Sequence, residues 1–294
     1  GWLIGRTICY GTEDIPNIYK LQNDMDAKAL SVFLSNGEMS KGTDDENKDG
    51  VPIALAMKLS PTEYFERFNK LLIDNPSYPE DNELLMEFAD LGIGAGLCFS
   101  PSLSSEDLES FWCEMKKLLI PKLTKETLGF MVKNGNFKFY GHPISHFGKE
   151  YGYRCLIAIA GFGANPVETA VYLKAEDDDS GEKLSAKNKY LLHFMPNSLP
   201  PVGEHGFWSV TAYGDDNFLI SNPLNRYAIS NRSNFKLNED NSLDLILQTE
   251  EPNDNKGNWL PVGNGGFHLF LRIYRPDNSV LNGTWEAPKI TKIG

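Results

Sequence analysis

The spacing of apolar residues changes along the chain, and each change marks a different kind of element. Residues 1–12 hold two short apolar runs, Trp2-Leu3-Ile4 and Ile8-Cys9-Tyr10, and predict a strand. Residues 36–50 have no apolar period and end Thr43-Asp44-Asp45-Glu46-Asn47-Lys48-Asp49-Gly50, which predicts a solvated loop. From about 55 to 165 the apolar positions recur at helical spacing. Ser60-Pro61-Thr62-Glu63 is a helix start, because Ser60 can cap, Pro61 has no N–H to lose at the first position, and Glu63 closes a capping box. Phe65, Phe68 and Leu72 then share a face, and Asn75-Pro76 ends the helix. A second helix over 81–91 carries Leu84, Leu85, Phe88 and Leu91, with Gly92 as its stop. A third starts at Ser104 with Asp107 three residues on, lines up Leu108, Phe111, Trp112, Met115 and Leu119, and is closed by Pro121. A fourth spans 122–133. A fifth, over 149–161, is apolar nearly all round, which predicts burial.

From about 170 the period drops to two. Lys189–Phe194, Phe207–Tyr213, Ser242–Gln248 and Phe267–Tyr274 alternate between turn signals such as Asp178-Asp179-Ser180-Gly181 and Asp215-Asp216-Asn217. Short strands at this spacing predict an antiparallel sandwich or barrel. The fold class expected is therefore α+β: a helical segment followed by an antiparallel, jelly-roll-like β-sandwich.

Length and charge add bounds. The chain has 294 residues, enough for about two domains. Lys and Arg number 28 and Asp and Glu 40, so the net charge is 28 − 40 = −12. That balance argues against nucleic acid or an anionic membrane as the main partner. No apolar run approaches the ~18 residues of a membrane span. Cys9, Cys98, Cys113 and Cys155 form no C-x-x-C pair, and three sit among apolar neighbours, so buried free thiols are expected, with disulfides left open. The chain begins at Gly1 in what reads as the middle of a strand, which suggests a piece of a longer protein. Asn231-Arg232-Ser233 and Asn282-Gly283-Thr284 have the form of glycosylation sites, a pattern that also arises often by chance.

Catalytic and metal motifs are sparse. There is no G-x-S-x-G for a serine nucleophile. His142, His146 and Glu150 would share a face only on a helix, and Gly141 and Pro143 make a turn there instead. Asp45–Gly50 resembles half of a calcium loop, but its twelfth position is Ala56. Gly92-Ile93-Gly94-Ala95-Gly96 follows a helix, where a phosphate loop would follow a strand, so it reads as helix termination. His193 and His268 lie inside strands, where packed histidines outnumber catalysts. No metal or cofactor is expected.

Binding chemistry is better represented. Arg154 sits in the most apolar helix, where a guanidinium needs a carboxylate or several carbonyls. It is either one half of a structural ion pair or an anion site. Asn222-Pro223-Leu224-Asn225-Arg226-Tyr227 brings two amides, a cation and a phenol together. Those groups suit a carboxylate, or sugar hydroxyls with a ring stacked on Tyr227 or Trp208. Alternatively, the amides satisfy the backbone of a long connection. Trp208, Trp259 and Trp285 fit either a core or a glycan platform. The candidate ligand-binding residues are thus Arg154, Asn222, Asn225, Arg226, Tyr227 and Trp208.

Some of these segments also carry a family resemblance. The opening Trp2-Leu3-Ile4-Gly5-Arg6-Thr7 resembles the end of the family catalogued as domain of unknown function 1254. The later part resembles domain of unknown function 1214, through Tyr153-Arg154, Gly161–Pro166, Phe207–Thr211, Asn222–Tyr227, Asn258–Pro261 and Leu281–Trp285. The resemblance implies two β-rich, jelly-roll-like domains joined by helices, oligomer formation, and export to the periplasm in bacterial members. It implies no activity and no catalytic residues. On it the chain divides into residues 1–55, the end of a β-rich domain; 56–165, a helical linker; and 166–294, the β-sandwich. The expected function is a binding and assembly module, a homo-oligomer holding a small polar or carbohydrate ligand. The alternative is a hydrolase or lyase with its site between the two β domains.

Overall fold

The computed structural model describes residues 5, 7–9, 11–38 and 51–293. The chain divides into two compact units, Gly1–Pro52 and Ile53–Gly294. The regular elements described in the first unit are a 3-10 turn at Thr12–Asp14 and helices α1 (Ile15–Asn23) and α2 (Leu30–Leu34). Of the strand expected over 1–12, residues 5, 7–9, 11 and 12 are described and none of them is in a strand, with Thr12 opening the 3-10 turn; residues 39–50, with the acidic half-loop at Asp45–Gly50, lie outside the described residues.

The second unit follows a short helix at the boundary, α3 (Pro52–Ala56), and opens on α4 (Pro61–Asp74). The expected capping box forms: Glu63 N donates to Ser60 Oγ at 3.2 Å, and Ser60 N donates to Glu63 Oε2 at 2.9 Å. Next come α5 (Asn82–Phe88), a 3-10 turn at Ala89–Leu91, and Gly92 in the left-handed region at φ 70°. Buried Asn69 of α4 clasps the glycine-rich loop beyond. Its Nδ2 donates to the carbonyls of Gly92 and Leu97 at 2.7 and 2.9 Å, and its Oδ1 accepts from Gly94 N at 2.8 Å. The loop is therefore tied down by a side chain of the preceding helix, in keeping with helix termination.

Two expectations fail between residues 121 and 140. Pro121 does not close its helix, because α6 runs from Ser105 to Glu126 straight through it. Proline's fixed φ suits a helix, and the cost is one hydrogen bond and a clash with the turn before. Pro121 is exposed, so the carbonyl it leaves free can be hydrated, while buried Trp112 and Leu123 pin the helix on either side. The separate fourth helix expected over 122–133 is absent: residues 122–126 finish α6, Leu128–Phe130 is a 3-10 turn, and Met131 opens a hairpin, β1 (Met131–Asn134) and β2 (Phe137–Tyr140), closed by Gly135 and Asn136 with Gly135 at φ 60°. A two-residue Gly-Asn connection is a hairpin signal, and here it overrides local helical spacing. The nearly all-apolar helix becomes α7 (Tyr151–Ala160), buried through Tyr153, Leu156 and Ile157 but exposed at Ala158 and Ala160.

The remaining strands are β3 (Ala170–Ala175), β4 (Tyr190–Phe194), β5 (Val202–Gly214), β6 (Ala228–Ser230), β7 (Leu243–Gln248), β8 (Trp259–Pro261), β9 (Phe267–Pro276) and β10 (Lys289–Lys292), with a one-turn helix α8 (Asn278–Leu281) before the last. They form a six-stranded sheet in the order β1-β2-β3-β9-β5-β6 and a four-stranded sheet in the order β10-β4-β7-β8. Every pairing is antiparallel except β7 with β8, which is parallel. Alternation decides which face is buried. Leu173, Val210, Leu271 and Ile273 of the large sheet meet Tyr190, Leu192, Leu245, Leu247 and Ile290 of the small one in a single core. Each such aliphatic side chain contributes about 1.5–3 kcal/mol by leaving water. The architecture is α+β with a β-sandwich, as the periodicity implied. The thiols depart from expectation: all four cysteines are free, but Cys9, Cys98 and Cys113 are exposed and Cys155 is half-buried.

Candidate functional site

Arg154 is an ion-pair partner. Its Nη1 donates to Asp81 Oδ2 at 2.9 Å and its Nη2 to Asp81 Oδ1 at 3.1 Å, a two-pronged bond from α7 to the turn before α5. The guanidinium also lies 4.9 Å from the Tyr151 ring centroid. A cavity of about 240 Å³ opens beside it, lined by Ser145, Phe147, Ile157, Phe162 and Ala164 among others. Asp81 takes one N–H from each terminal nitrogen of the guanidinium, and Arg154 is itself part of the cavity lining.

The loop from Asn222 to Tyr227 directs its polar groups to its own backbone and to one neighbour. Asn222 Nδ2 donates to the carbonyls of Ile220 and Arg226, and its Oδ1 accepts from Arg226 N at 3.0 Å. Arg226 Nη1 donates to the carbonyls of Lys256 and Trp259 at 2.6 and 2.9 Å, tying the loop to β8. Tyr227 Oη donates to Asn225 Oδ1 at 3.2 Å. Trp208 does not join them. It is 2% exposed and packs on Phe194 and Phe235 in the core. Trp259 and Trp285 are buried as well.

The structure assembles a different surface on the outer face of the six-stranded sheet. Residues that alternate with the core positions point outward: Tyr172 and Lys174 from β3, Phe207, Ser209 and Tyr213 from β5, Phe270, Arg272 and Tyr274 from β9. Register places Tyr172 beside Arg272 and Arg272 beside Ser209, with Phe207 opposite Tyr274. Phe207 and Tyr274 stack with centroids 4.5 Å apart at 12°, and Tyr172 meets Tyr274 edge-on at 6.1 Å. Tyr213 meets Phe270 edge-on at 5.6 Å. Arg272 lies 4.8 Å from the Phe270 centroid and 5.3 Å from that of Tyr213, and donates from Nη2 to Tyr213 Oη at 3.0 Å. Arg232 lies 4.6 Å over Phe207. The five rings are half-buried. This face was missed in the sequence, yet it left a signal. The outward positions of β5 and β9 are aromatic where a solvated strand face would be polar.

Histidines occupy three kinds of place. His268, at the end of the same face, is 6% exposed, and its Nε2 has no hydrogen-bond partner. Burial, helped by nearby Lys174, pushes its pKa down. His193 on β4 makes a 2.6 Å bond through Nδ1 to Asp244 Oδ1 of β7, and Asp244 Oδ2 accepts from Asn238 Nδ2 at 3.0 Å. His142 pairs with Glu168 at 3.1 Å on the surface. Among the described residues no three His, Cys, Asp or Glu side chains converge as metal ligands, and no helix is long and apolar enough to cross a membrane.

Residues 169–278, from just before β3 to the start of α8, match the family described as Protein of unknown function (DUF1214). Among solved structures the fold is similar to that of the VPA0106 protein from Vibrio parahaemolyticus, with a TM-score of 0.65 and 23% identity over 96% of this chain and 66% of that one. The chain thus spans about two thirds of that protein's length. An uncharacterized protein from Burkholderia cenocepacia is matched at a TM-score of 0.33 and 13% identity, over 65% of this chain and 45% of that one. No curated protein matches.

Proposed function

We propose that the chain is a binding and assembly module whose β-sandwich holds a carbohydrate on the outer face of the six-stranded sheet. The supporting observation is the row of half-buried rings there, led by the stacked pair Phe207 and Tyr274. The C–H groups of a pyranose are apolar and pack against the outward edges of such rings, while its hydroxyls stay in reach of polar neighbours such as Ser209. This reading moves ligand contact from the loop Asn222–Tyr227 to the sheet, and gives the loop the role of bracing β8 through Arg226. The assembly half draws on large apolar residues left exposed along the helices, Met86, Phe111 and Leu118 among them. It belongs with the three-part division of the chain, the resemblance of the opening residues to domain of unknown function 1254, and an exported, homo-oligomeric protein.

The test is titration of the protein with a panel of oligosaccharides, neutral and acidic, followed by calorimetry. Phe207→Ala and Tyr274→Ala should each weaken the best binder at least tenfold while the thermal transition stays cooperative. No binding from the panel, or binding untouched by both variants, refutes the reading. Sedimentation velocity on the same samples tests the assembly half, which a monomer at all concentrations would refute.

The second reading, a hydrolase, draws on one observation. Asp244 orients His193 through Nδ1 and leaves the other ring nitrogen free for proton transfer, as a general base requires. Turnover of an ester or glycoside panel that His193→Gln abolishes would favour it.

A further inference from the structure

The register of the large sheet sets three lysines in one row. Lys133 of β1 lies opposite Lys138 of β2, and Lys138 lies opposite Lys174 of β3. Directly opposed residues of antiparallel strands share a face, so all three stand on the outer one, on strands about 4.8 Å apart. Lys174 pairs with Glu176 at 2.7 Å, a carboxylate that also meets Lys183 at 3.6 Å. Lys133 and Lys138 are exposed, and among the described residues neither ammonium group has a carboxylate or hydrogen-bond partner.

Like charges set directly opposite one another cost stability. Lysines guard sheet edges against unwanted pairing, and that accounts for Lys133 on the edge strand β1. It does not account for Lys138 or Lys174, whose strands have neighbours on both sides. On a chain of net charge −12, the uncompensated ammonium groups of Lys133 and Lys138 make a local site for carboxylates. The same chain carries the complement. On α5 and the 3-10 turn that follows it, Glu83, Glu87 and Asp90 recur at i, i+4 and i+7 and line one side. Glu83 pairs with Lys149 at 2.9 Å, whereas Glu87 and Asp90 are exposed and have no cation partner among the described residues. Carboxylates three or four positions apart are separated by about 4.5–6 Å along a helix, which matches the step from strand to strand in the lysine row. Met86, 74% exposed, flanks them.

We infer that the lysine row is a docking surface for a second copy of this chain, whose α5 lies across β1, β2 and β3 with Glu87 and Asp90 against Lys133 and Lys138. The inference rests on the assembly half of the reading above and names the surfaces that meet. Phe207 and Tyr274 stand on β5 and β9 and take no part in it. The row of one copy meets the helix of the next, so the contact is head-to-tail between two unlike surfaces. Exposed ion pairs are individually weak, so the contact is a weak one that salt screens.

The experiment is sedimentation velocity on the full chain over a range of protein concentration, at low and high salt, with two charge-reversed variants. One carries Lys133→Glu with Lys138→Glu, the other Glu87→Lys with Asp90→Lys. All these positions are exposed, and circular dichroism checks that both variants fold. The parent should associate at low salt and dissociate as salt rises. Each variant alone should associate at least tenfold more weakly. An equal mixture of the two should recover association, because the intact row of one meets the intact helix of the other, and poor folding cannot produce that recovery. Association that ignores salt and both variants overturns the lysine row as the interface and leaves the assembly reading in place. Association lost with the lysine variant but kept with the α5 variant overturns α5 as the counterpart. A parent that stays monomeric overturns both readings. If polyglutamate then binds that monomer and is lost with the lysine variant, the row belongs to an acidic segment of another protein.

Discussion

The ion pair between Arg154 and Asp81 decides whether Arg154 is a structural residue or a ligand-binding one. Both guanidinium prongs are engaged, at 2.9 and 3.1 Å, and the side chains are 35% and 13% exposed. Two unit charges at such a separation attract by about 4 kcal/mol at the effective dielectric of a protein surface. Desolvation of Asp81 offsets part of that. Removing one partner of a fully buried pair costs about 3–5 kcal/mol, and the exposure of Arg154 lowers the figure here to about 2 kcal/mol. Asp81→Leu and Arg154→Met should therefore each destabilise by about 2 kcal/mol. The double variant should fall within about 1 kcal/mol of the parent, because no charge is left unpaired. Urea denaturation followed by circular dichroism, with the slope compared across all four proteins, measures the coupling. Additive losses, with a coupling below about 0.5 kcal/mol, would show that the pair is not made in solution and would return Arg154 to the list of anion ligands.

Three further outcomes are expected. Trp112 is 7% exposed, packs against Tyr64 and Phe65 and donates to the Leu59 carbonyl at 2.9 Å, so Trp112→Ala should cost about 3–5 kcal/mol in urea denaturation, and a loss below about 1 kcal/mol would mean this layer does not pack as described. Gly92→Ala places a Cβ 1.8 Å from the Cys98 carbonyl at a φ of 70°, so the loop held by Asn69 must shift at a cost of about 2 kcal/mol or more, visible as a lower melting temperature; an unchanged one would refute the left-handed turn. His268 resists protonation when folded, whereas in the unfolded chain it takes a proton near 6.5. The unfolded state then binds more protons below that pH, so stability should fall as pH drops through about 6.5, and His268→Phe should flatten the melting temperature between pH 7.5 and 5.5; identical pH profiles would refute the burial of a neutral ring.

Local chemistry determined much of the fold before any contact was known. The capping box at Ser60, the left-handed stop at Gly92, the cap at Ser104 and the alternation in β4, β5, β7 and β9 depend on near neighbours in the chain, so they could be read from the sequence. The misreadings came where distant residues decide. Pro121 stays helical because Trp112 and Leu123 are held by other elements, and the hairpin over 131–140, whose Gly135-Asn136 turn is a local signal, is held in place by the edge that β2 finds on β3. The candidate site divides the same way. That Arg154 needed a partner was legible from its apolar helix, but that the partner is Asp81, 73 positions away, was not. The aromatic face was written as two alternating runs, and only the sheet order β3-β9-β5 lays Tyr172, Arg272 and Ser209 side by side. A strand's own sequence fixes which side chains share a face. Which strands lie next to it is set by the burial of the whole core, and that is why the surface appears only in three dimensions.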